Sequence, residues 1–185
     1  MAKRLVLMHG APGSGKSTFI KKLSLEYLTI SADTIRLLFS EPEVMVVDNH
    51  SCMQFSRKYD KEAWELIFKA LEERMKNGSD TVIDACNFTQ DFIERYKSLA
   101  DPHGFHMIAL DFSSLPLNVL LKRNKRRSLM LASITLLSIL SVTDIREWSQ
   151  FRKESIRSMQ LLQMLKNNFG RFGESLKHKL IDKKE

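Results

Sequence analysis

The sequence predicts an α/β fold of three layers (α/β/α), in which helices cover both faces of a mostly parallel sheet of four or five strands. Short apolar runs of strand length alternate along the chain with longer segments of helical periodicity. The first apolar run leads directly into a glycine-rich loop. The chain has 185 residues, of which 43% are hydrophobic and 28% charged, and this is enough to bury a core. Alternation of this kind is typical of parallel sheets, because each crossover between strands carries a helix.

Apolar runs and helical spacing give the order of the elements. Short apolar runs predict strands at 4–9, 28–31, 81–83 and 106–112. Apolar residues spaced three and four apart predict helices at 15–27, 33–39, 53–77, 89–100 and 115–126. Residues 40–52 contain Pro42 and are expected to form a loop, whereas Asn77-Gly78 is expected to end the longest helix.

The carboxyl-terminal part is expected to form a helical extension. Residues 1–142 are predicted to be the core, with a lid near 122–128, and residues 143–185 a basic helical extension. The apolar stretch 129–142 is shorter than the ~20 residues that span a bilayer. It is therefore expected to pack as a buried helix without stable membrane insertion, and a membrane-contacting segment is the alternative.

A complete phosphate-binding motif follows the first predicted strand. It matches G-x-x-x-x-G-K-[ST] and has the required strand before it and helix after it. Its backbone N–H groups and the helix N-terminus would bind phosphates, Lys16 would reach the β- and γ-phosphates, and Ser17 would ligate Mg²⁺. The sequence therefore predicts a P-loop NTPase that binds ATP and Mg²⁺, the alternative being a glycine turn with an incidental lysine. The residues expected at the nucleotide are Gly10, Pro12, Gly13, Ser14, Gly15, Lys16, Ser17 and Thr18.

Acidic residues follow the other predicted strands. In a parallel sheet the ends at Gly10, Asp33, Asp84 and Asp111 lie on one edge, so a single site could gather them. Asp33 could accept a proton from a substrate hydroxyl, and Arg36, three residues on, could hold an anionic group. The alternative is that Asp33 caps a helix and that Arg36 is a surface residue.

Two further pairs of residues are candidates on the same edge. Asp84 could act near Mg²⁺ or hold the Asp33 region, and Asn87 could contact substrate, unless the two belong to a turn that caps the next helix. Arg123 and Arg127 share a helix face and could close over ATP as a lid. A solvated basic face is the alternative for these arginines.

Charge and cysteine content narrow the function classes. The net charge is +7, and residues 120–185 hold 15 basic against 6 acidic side chains. A basic end of this kind is typical of binding to a polyanion, although a solvated basic surface explains it equally well. Two cysteines without a C-x-x-C pair make a disulfide framework or a thiolate zinc site unexpected and fit a cytoplasmic location.

The four motifs in this order resemble the polynucleotide 5′-hydroxyl kinases of phage and bacterial nucleic-acid repair, which are related to adenylate-kinase-like small kinases. The shared patterns are G-x-P-G-S-G-K-S-T, D-x-x-R, D-x-[TC]-N and R-N-x-x-R, and the resemblance covers residues 3–140. It departs after the lid, at Ser128, Ala132 and Ser133, where the family often has glycine and Val-Pro. No phosphatase-type D-x-D-G-T motif occurs.

The resemblance implies a role for each matching residue. Asp33 would be the general base on the 5′-hydroxyl, with Lys16 and Arg127 as further catalytic residues. Arg36, Asp84 and Asn87 would serve the substrate. Lys16 and Ser17 would serve ATP and Mg²⁺, and Arg123 and Arg127 would hold the ATP phosphates.

The leading hypothesis is an ATP-dependent kinase that acts on the 5′-hydroxyl of a DNA or RNA end. One alternative is a P-loop kinase of a small molecule such as a nucleoside, sugar or antibiotic. The other is an NTP-binding regulatory module that has no acceptor.

Overall fold

The strands and helices alternate along the chain as the sequence predicts. The computed structural model describes residues 3–47, 50–86 and 89–124. Its strands are β1 (Lys3–His9), β2 (Thr29–Ser31), β3 (Glu43–Val47), β4 (His50–Gln54), β5 (Thr81–Asp84) and β6 (Phe105–Asp111). Its α-helices are α1 (Lys16–Lys22), α2 (Ala32–Arg36), α3 (Asp60–Lys76), α4 (Gln90–Ala100) and α5 (Leu117–Asn124).

Four strands form a parallel sheet in the order β2-β5-β1-β6. In the register of the sheet, Leu7 of β1 lies opposite Ile83 of β5 and Ala109 of β6. All four carboxyl ends therefore meet at one edge, where Ser31 lies opposite Asp84. The predicted parallel sheet is confirmed, with four strands among the described residues.

Side-chain alternation along β1 builds the layers on both faces of the sheet. Leu5 and Leu7 are buried against the layer formed by α3 and α4. Val6 and Met8 point to the opposite face and pack with Ile20 of α1. Since successive strand residues face opposite sides, one central strand supplies both cores. The predicted α/β/α architecture is confirmed.

The loop predicted at residues 40–52 is wrong, because an antiparallel hairpin of β3 and β4 occupies most of it. Val44 lies opposite Met53 in this hairpin. β-Branched side chains favour the extended backbone, and this preference outweighs the turn signal of Pro42. The hairpin also makes the start of the longest helix at residue 53 wrong, since α3 begins at Asp60.

The end of α1 differs from the prediction, and the end of α3 agrees with it. α1 ends at Lys22, well before residue 27, because Ser24 adopts a φ of +53° and Glu26–Leu28 form a 3₁₀ turn. α3 ends as predicted at Asn77-Gly78, where Gly78 has a φ of +67° and donates a hydrogen bond to the Met75 carbonyl.

The predicted helical extension 143–185 and the apolar stretch 129–142 lie outside the described residues. Within the described part of the chain, none of the helices has both the length and the apolar character needed to span a bilayer.

Candidate active site

The glycine-rich loop between β1 and α1 has a backbone that only glycine adopts comfortably. Gly10 has a φ of +143°, and a Cβ added there would lie 3.0 Å from the backbone of Phe112. Gly13 has a φ of +83° and packs against the Leu120 carbonyl and Arg123. The loop is thus fixed from outside by the segment after β6 and by α5. Pro12 is buried within it, whereas Thr18 is exposed on α1.

Lys16 lies across this loop and places its positive charge inside it. Its Nζ donates hydrogen bonds to the carbonyls of Gly10, at 2.7 Å, and Ala11, at 3.1 Å, and the residue is only 7% exposed. An ammonium group has three N–H donors, so one remains for a third acceptor. The lysine charge is therefore held where phosphate oxygens would approach the loop.

The loop also contains a buried hydroxyl that suits a phosphate oxygen. The Ser14 Oγ has no hydrogen-bond partner among the described residues, although it is buried. A buried donor without a partner costs free energy, and a phosphate oxygen would remove that cost. With the glycine cradle and the Lys16 charge, the residues present fit a bound nucleoside triphosphate.

Ser17 and Asp84 meet across the neighbouring strands. The Ser17 Oγ donates a hydrogen bond of 2.7 Å to the Asp84 Oδ2, joining the start of α1 to the end of β5. A hydroxyl next to a carboxylate provides the hard oxygen ligands that Mg²⁺ prefers. This pair fits a magnesium site, and the hydrogen bond places the Asp84 carboxylate next to the phosphate loop.

Asp33 and Arg36 lie on α2, directly after β2. The cap of this helix is Ser31, whose side chain accepts a hydrogen bond from the Thr34 amide, so Asp33 is not the cap. The Asp33 Oδ1 instead accepts a hydrogen bond of 3.2 Å from the Arg36 Nη1. The Asp33 side chain is 46% exposed and Arg36 only 17%. The Asp33 carboxylate is therefore accessible to a substrate. The Arg36 side chain is mostly buried, so the alternative of a surface residue does not describe it.

Sequence reasoning missed the carboxylate that holds Arg36. The Asp60 Oδ1, at the start of α3, accepts a hydrogen bond of 2.6 Å from the Arg36 Nε. The Asp60 Oδ2 accepts one of 3.1 Å from the Arg57 Nε. A residue 24 positions from Arg36 gives no signal in a local motif.

Cys86 lies between the phosphate loop and the acceptor residues. Its carbonyl accepts a hydrogen bond of 3.4 Å from the Gly10 amide. Burial raises the pKa of its thiol, and the charges of Lys16, Asp33, Arg36 and Asp84 all act on it as well. The strand ends also meet in the geometry of the sheet, since Ser31 of β2 lies opposite Asp84 of β5 and Asp84 binds Ser17 of α1.

Arg123 reaches the phosphate loop from α5. Its Nη1 donates a hydrogen bond of 3.3 Å to the Gly13 carbonyl, and the residue is exposed. Arg123 therefore lies next to the loop, and its role as a lid arginine stays a prediction. Asn87 and Arg127 lie outside the described residues. Asp111 turns toward its own strand end, where its Oδ1 accepts a hydrogen bond from the Ser113 amide.

Known proteins share both the sequence pattern and the fold of this chain. Residues 5–136 match the family model described as "AAA domain", which is more than half of the chain. The "Putative bifunctional polynucleotide kinase/RNA ligase" of Autographa californica nuclear polyhedrosis virus is 28% identical over 132 residues. That match covers 69% of this chain, and the chain spans only 18% of the length of this relative.

Two solved structures share the fold at low identity. A chain of the Pnkp1/Rnl/Hen1 RNA repair complex is 17% identical, with a TM-score of 0.58, over 83% of this chain and 46% of that one. A sugar kinase from Janibacter sp. HTCC2649 is 20% identical, with a TM-score of 0.50, over 77% of this chain and 78% of that one. At these identities the likeness shows the fold alone.

Proposed function

The chain belongs to the AAA domain family, as a P-loop kinase domain, and from that premise we propose that it transfers the γ-phosphate of ATP to the 5′-hydroxyl of a DNA or RNA end. The observation that carries the proposal is the placement of Asp33 and Arg36 beside the phosphate loop. Ser31, two residues before Asp33, lies opposite Asp84, and the Asp84 carboxylate accepts a hydrogen bond from Ser17 of the phosphate loop. This arrangement supports Asp33 as a base and Arg36 as an anion-binding group for the acceptor.

Asp33 is the proposed general base. Its carboxylate accepts the proton of the 5′-hydroxyl as the hydroxyl oxygen forms a bond to the γ-phosphorus and the bond from that phosphorus to the β,γ-bridging oxygen breaks, releasing ADP. Arg36 binds the phosphate nearest the 5′-hydroxyl through its terminal fork, since a guanidinium binds phosphate oxygens in pairs. Asn87 is a further proposed contact to the substrate.

The remaining catalytic work is positioning and charge neutralisation. Lys16 holds the β- and γ-phosphates, and Arg123 and Arg127 are proposed to bind the ATP phosphates from the lid. Ser17 and Asp84 would hold Mg²⁺, which supplies neutralisation of phosphate charge when bound. Every one of these groups stabilises charge, as phosphoryl transfer requires.

The acceptor class rests on two supporting observations. The name of the viral relative includes a polynucleotide kinase, and residues 120–185 hold 15 basic against 6 acidic side chains. A small-molecule kinase is the second candidate, since a sugar kinase shares the fold over most of both chains. A small acceptor would not need an extended basic surface.

The direct test is transfer of labelled γ-phosphate from ATP to short DNA and RNA oligonucleotides with a 5′-hydroxyl. The wild type should label them, and Lys16→Ala and Asp33→Asn should not. Asp91→Asn is the matched control, because Asp91 is also an acidic residue in the first turn of a helix, and it should retain activity. A wild type that binds ATP and labels neither oligonucleotide would contradict the proposal and favour a small-molecule acceptor.

A further inference from the structure

Asp60 connects two arginines through its two carboxylate oxygens. Its Oδ1 accepts from the Arg36 Nε at 2.6 Å, and its Oδ2 accepts from the Arg57 Nε at 3.1 Å. The side chain of Asp60 is 26% exposed. Because each oxygen has its own cationic donor, the orientation of this carboxylate is fixed from two sides.

The Nε contact determines which end of Arg36 faces the acceptor. A guanidinium is planar, so a bond at Nε fixes the plane and leaves the terminal Nη1 and Nη2 as a fork. Nη1 of this fork reaches the Asp33 Oδ1 at 3.2 Å. Asp60 and Asp33 therefore engage different nitrogens of Arg36, and the terminal fork lies on the side of the proposed base.

The same contact spans the β3–β4 hairpin. Arg36 precedes the hairpin and Asp60 follows it, and a stack of Phe39 on Tyr59, with ring centroids 6.3 Å apart, joins the same two flanks. An arginine side chain loses rotamer entropy when it is held in one conformation. A second anchor at Nε removes most of that cost before substrate arrives.

We infer that Asp60 is a positioning residue for the acceptor: it holds Arg36 so that the terminal fork meets the phosphate next to the 5′-hydroxyl, beside Asp33. The inference rests on the proposed function. It assigns Asp60 to acceptor binding and not to ATP binding. Loss of Asp60 should therefore affect an acceptor that carries this phosphate and leave one without it almost unchanged.

The test compares Asp60→Asn with Glu62→Gln, because both acidic residues lie in the first turn of α3 and favour its N-terminus equally. The acceptors are a nucleoside 3′-monophosphate and the matching nucleoside. Asp60→Asn should raise the KM for the 3′-monophosphate about tenfold to a hundredfold, the range of one charge-assisted hydrogen bond. The KM for ATP and the activity on the nucleoside should change less than about threefold, and Glu62→Gln should behave as wild type.

A double variant separates positioning from general stability. In an Arg36→Ala background, Asp60→Asn should cause almost no further loss, because its target is already gone. If Asp60→Asn lowered activity by the same factor with and without Arg36→Ala, the inference would be overturned and the kinase assignment would stand. The same holds if Asp60→Asn lowered activity on the nucleoside as much as on the 3′-monophosphate. Should Asp60→Asn fail to fold, Asp60→Glu keeps the carboxylate and should still raise the KM for the 3′-monophosphate alone. A wild type that is inactive on both acceptors and on oligonucleotides would overturn the proposed function, and the inference with it.

Discussion

The phosphate loop and the acceptor region lie on the same sheet edge but are built in different ways. The phosphate loop is one continuous stretch of chain and is built mostly from backbone groups. Gly10, Gly13 and Gly15 in this stretch all have positive φ. Side chains form the acceptor region, where Arg36 bonds Asp33 on its own helix and Asp60 beyond the hairpin. The loop is thus specified locally, and the acceptor region depends on charges brought together by the fold. A phosphate site specified by local backbone geometry can therefore be combined with an acceptor site that is specified by side chains from separate elements.

Lys16→Ala should give the largest effect, because it removes a buried positive charge inside the loop. We expect kcat/KM to fall by about 10³-fold or more, with weakened ATP binding. Calorimetric titration with ATP and a transfer assay would measure both. Lys76→Ala, which removes an exposed lysine bound to Glu73, is the control and should leave both values unchanged. A Lys16→Ala protein that keeps a tenth of wild-type transfer would refute a role for this lysine.

Asp33→Asn should show most clearly that the acceptor region and the phosphate loop act separately, because it should lower kcat without changing the affinity for ATP. Loss of the proposed base should lower kcat by about 10²- to 10⁴-fold. The affinity for ATP should stay within about twofold of wild type, since Asp33 lies on α2 and makes no part of the loop. Reduced ATP affinity of the same size as the loss in kcat would mean that the two regions are not separate.

Gly10→Ala should show how strongly the loop depends on its backbone. The added Cβ would lie 3.0 Å from the Phe112 backbone at a φ of +143°, and we expect the free energy of unfolding to fall by about 3 kcal/mol. Gly104→Ala is the matched control, because Gly104 has a φ of +67° and nothing within 4 Å of its Cβ position. There only about 1 kcal/mol should be lost.

Urea denaturation of both variants measures this difference. Equal losses would indicate that positive φ alone, and not the close approach of Phe112, constrains the loop.

The phosphate loop could be predicted in full from the sequence, because its residues are contiguous and its geometry follows from glycine and strand–loop–helix order. Asp33, Arg36 and Asp84 could be placed on one edge because parallel strands end together. Asp60 could not be found in this way, since its partner Arg36 is brought to it only by the packing of α2 on α3.

The loop prediction for residues 40–52 was wrong for a different reason, because the sequence did contain a signal for the hairpin. Val44, Val46 and Val47 precede Asp48-Asn49, a β-branched run followed by residues that favour tight turns, and this signal was available in the sequence. Pro42 and the acidic residues around it obscured the signal, although Pro42 lies directly before β3 and leaves the hydrogen bonds of the hairpin intact. Roles for Asn87 and Arg127 remain predictions, since both lie outside the described residues.

The smallest expected effect concerns Cys86, between the two regions. Burial raises the pKa of its thiol, so the thiolate is scarcer in the folded chain than in the unfolded chain at the same pH. Alkylation by iodoacetamide at pH 7.5 should therefore be about tenfold slower in the native protein than in urea, and the native rate should rise as the pH increases past the ordinary thiol range. Mass spectrometry of the peptide that contains Cys86 distinguishes it from Cys52.

Magnesium-ATP and a 5′-hydroxyl oligonucleotide, added separately, should each slow the alkylation of Cys86 further, because charges from both regions act on this thiol. Protection by ATP alone would contradict this prediction, because it would show that the bound acceptor does not affect Cys86.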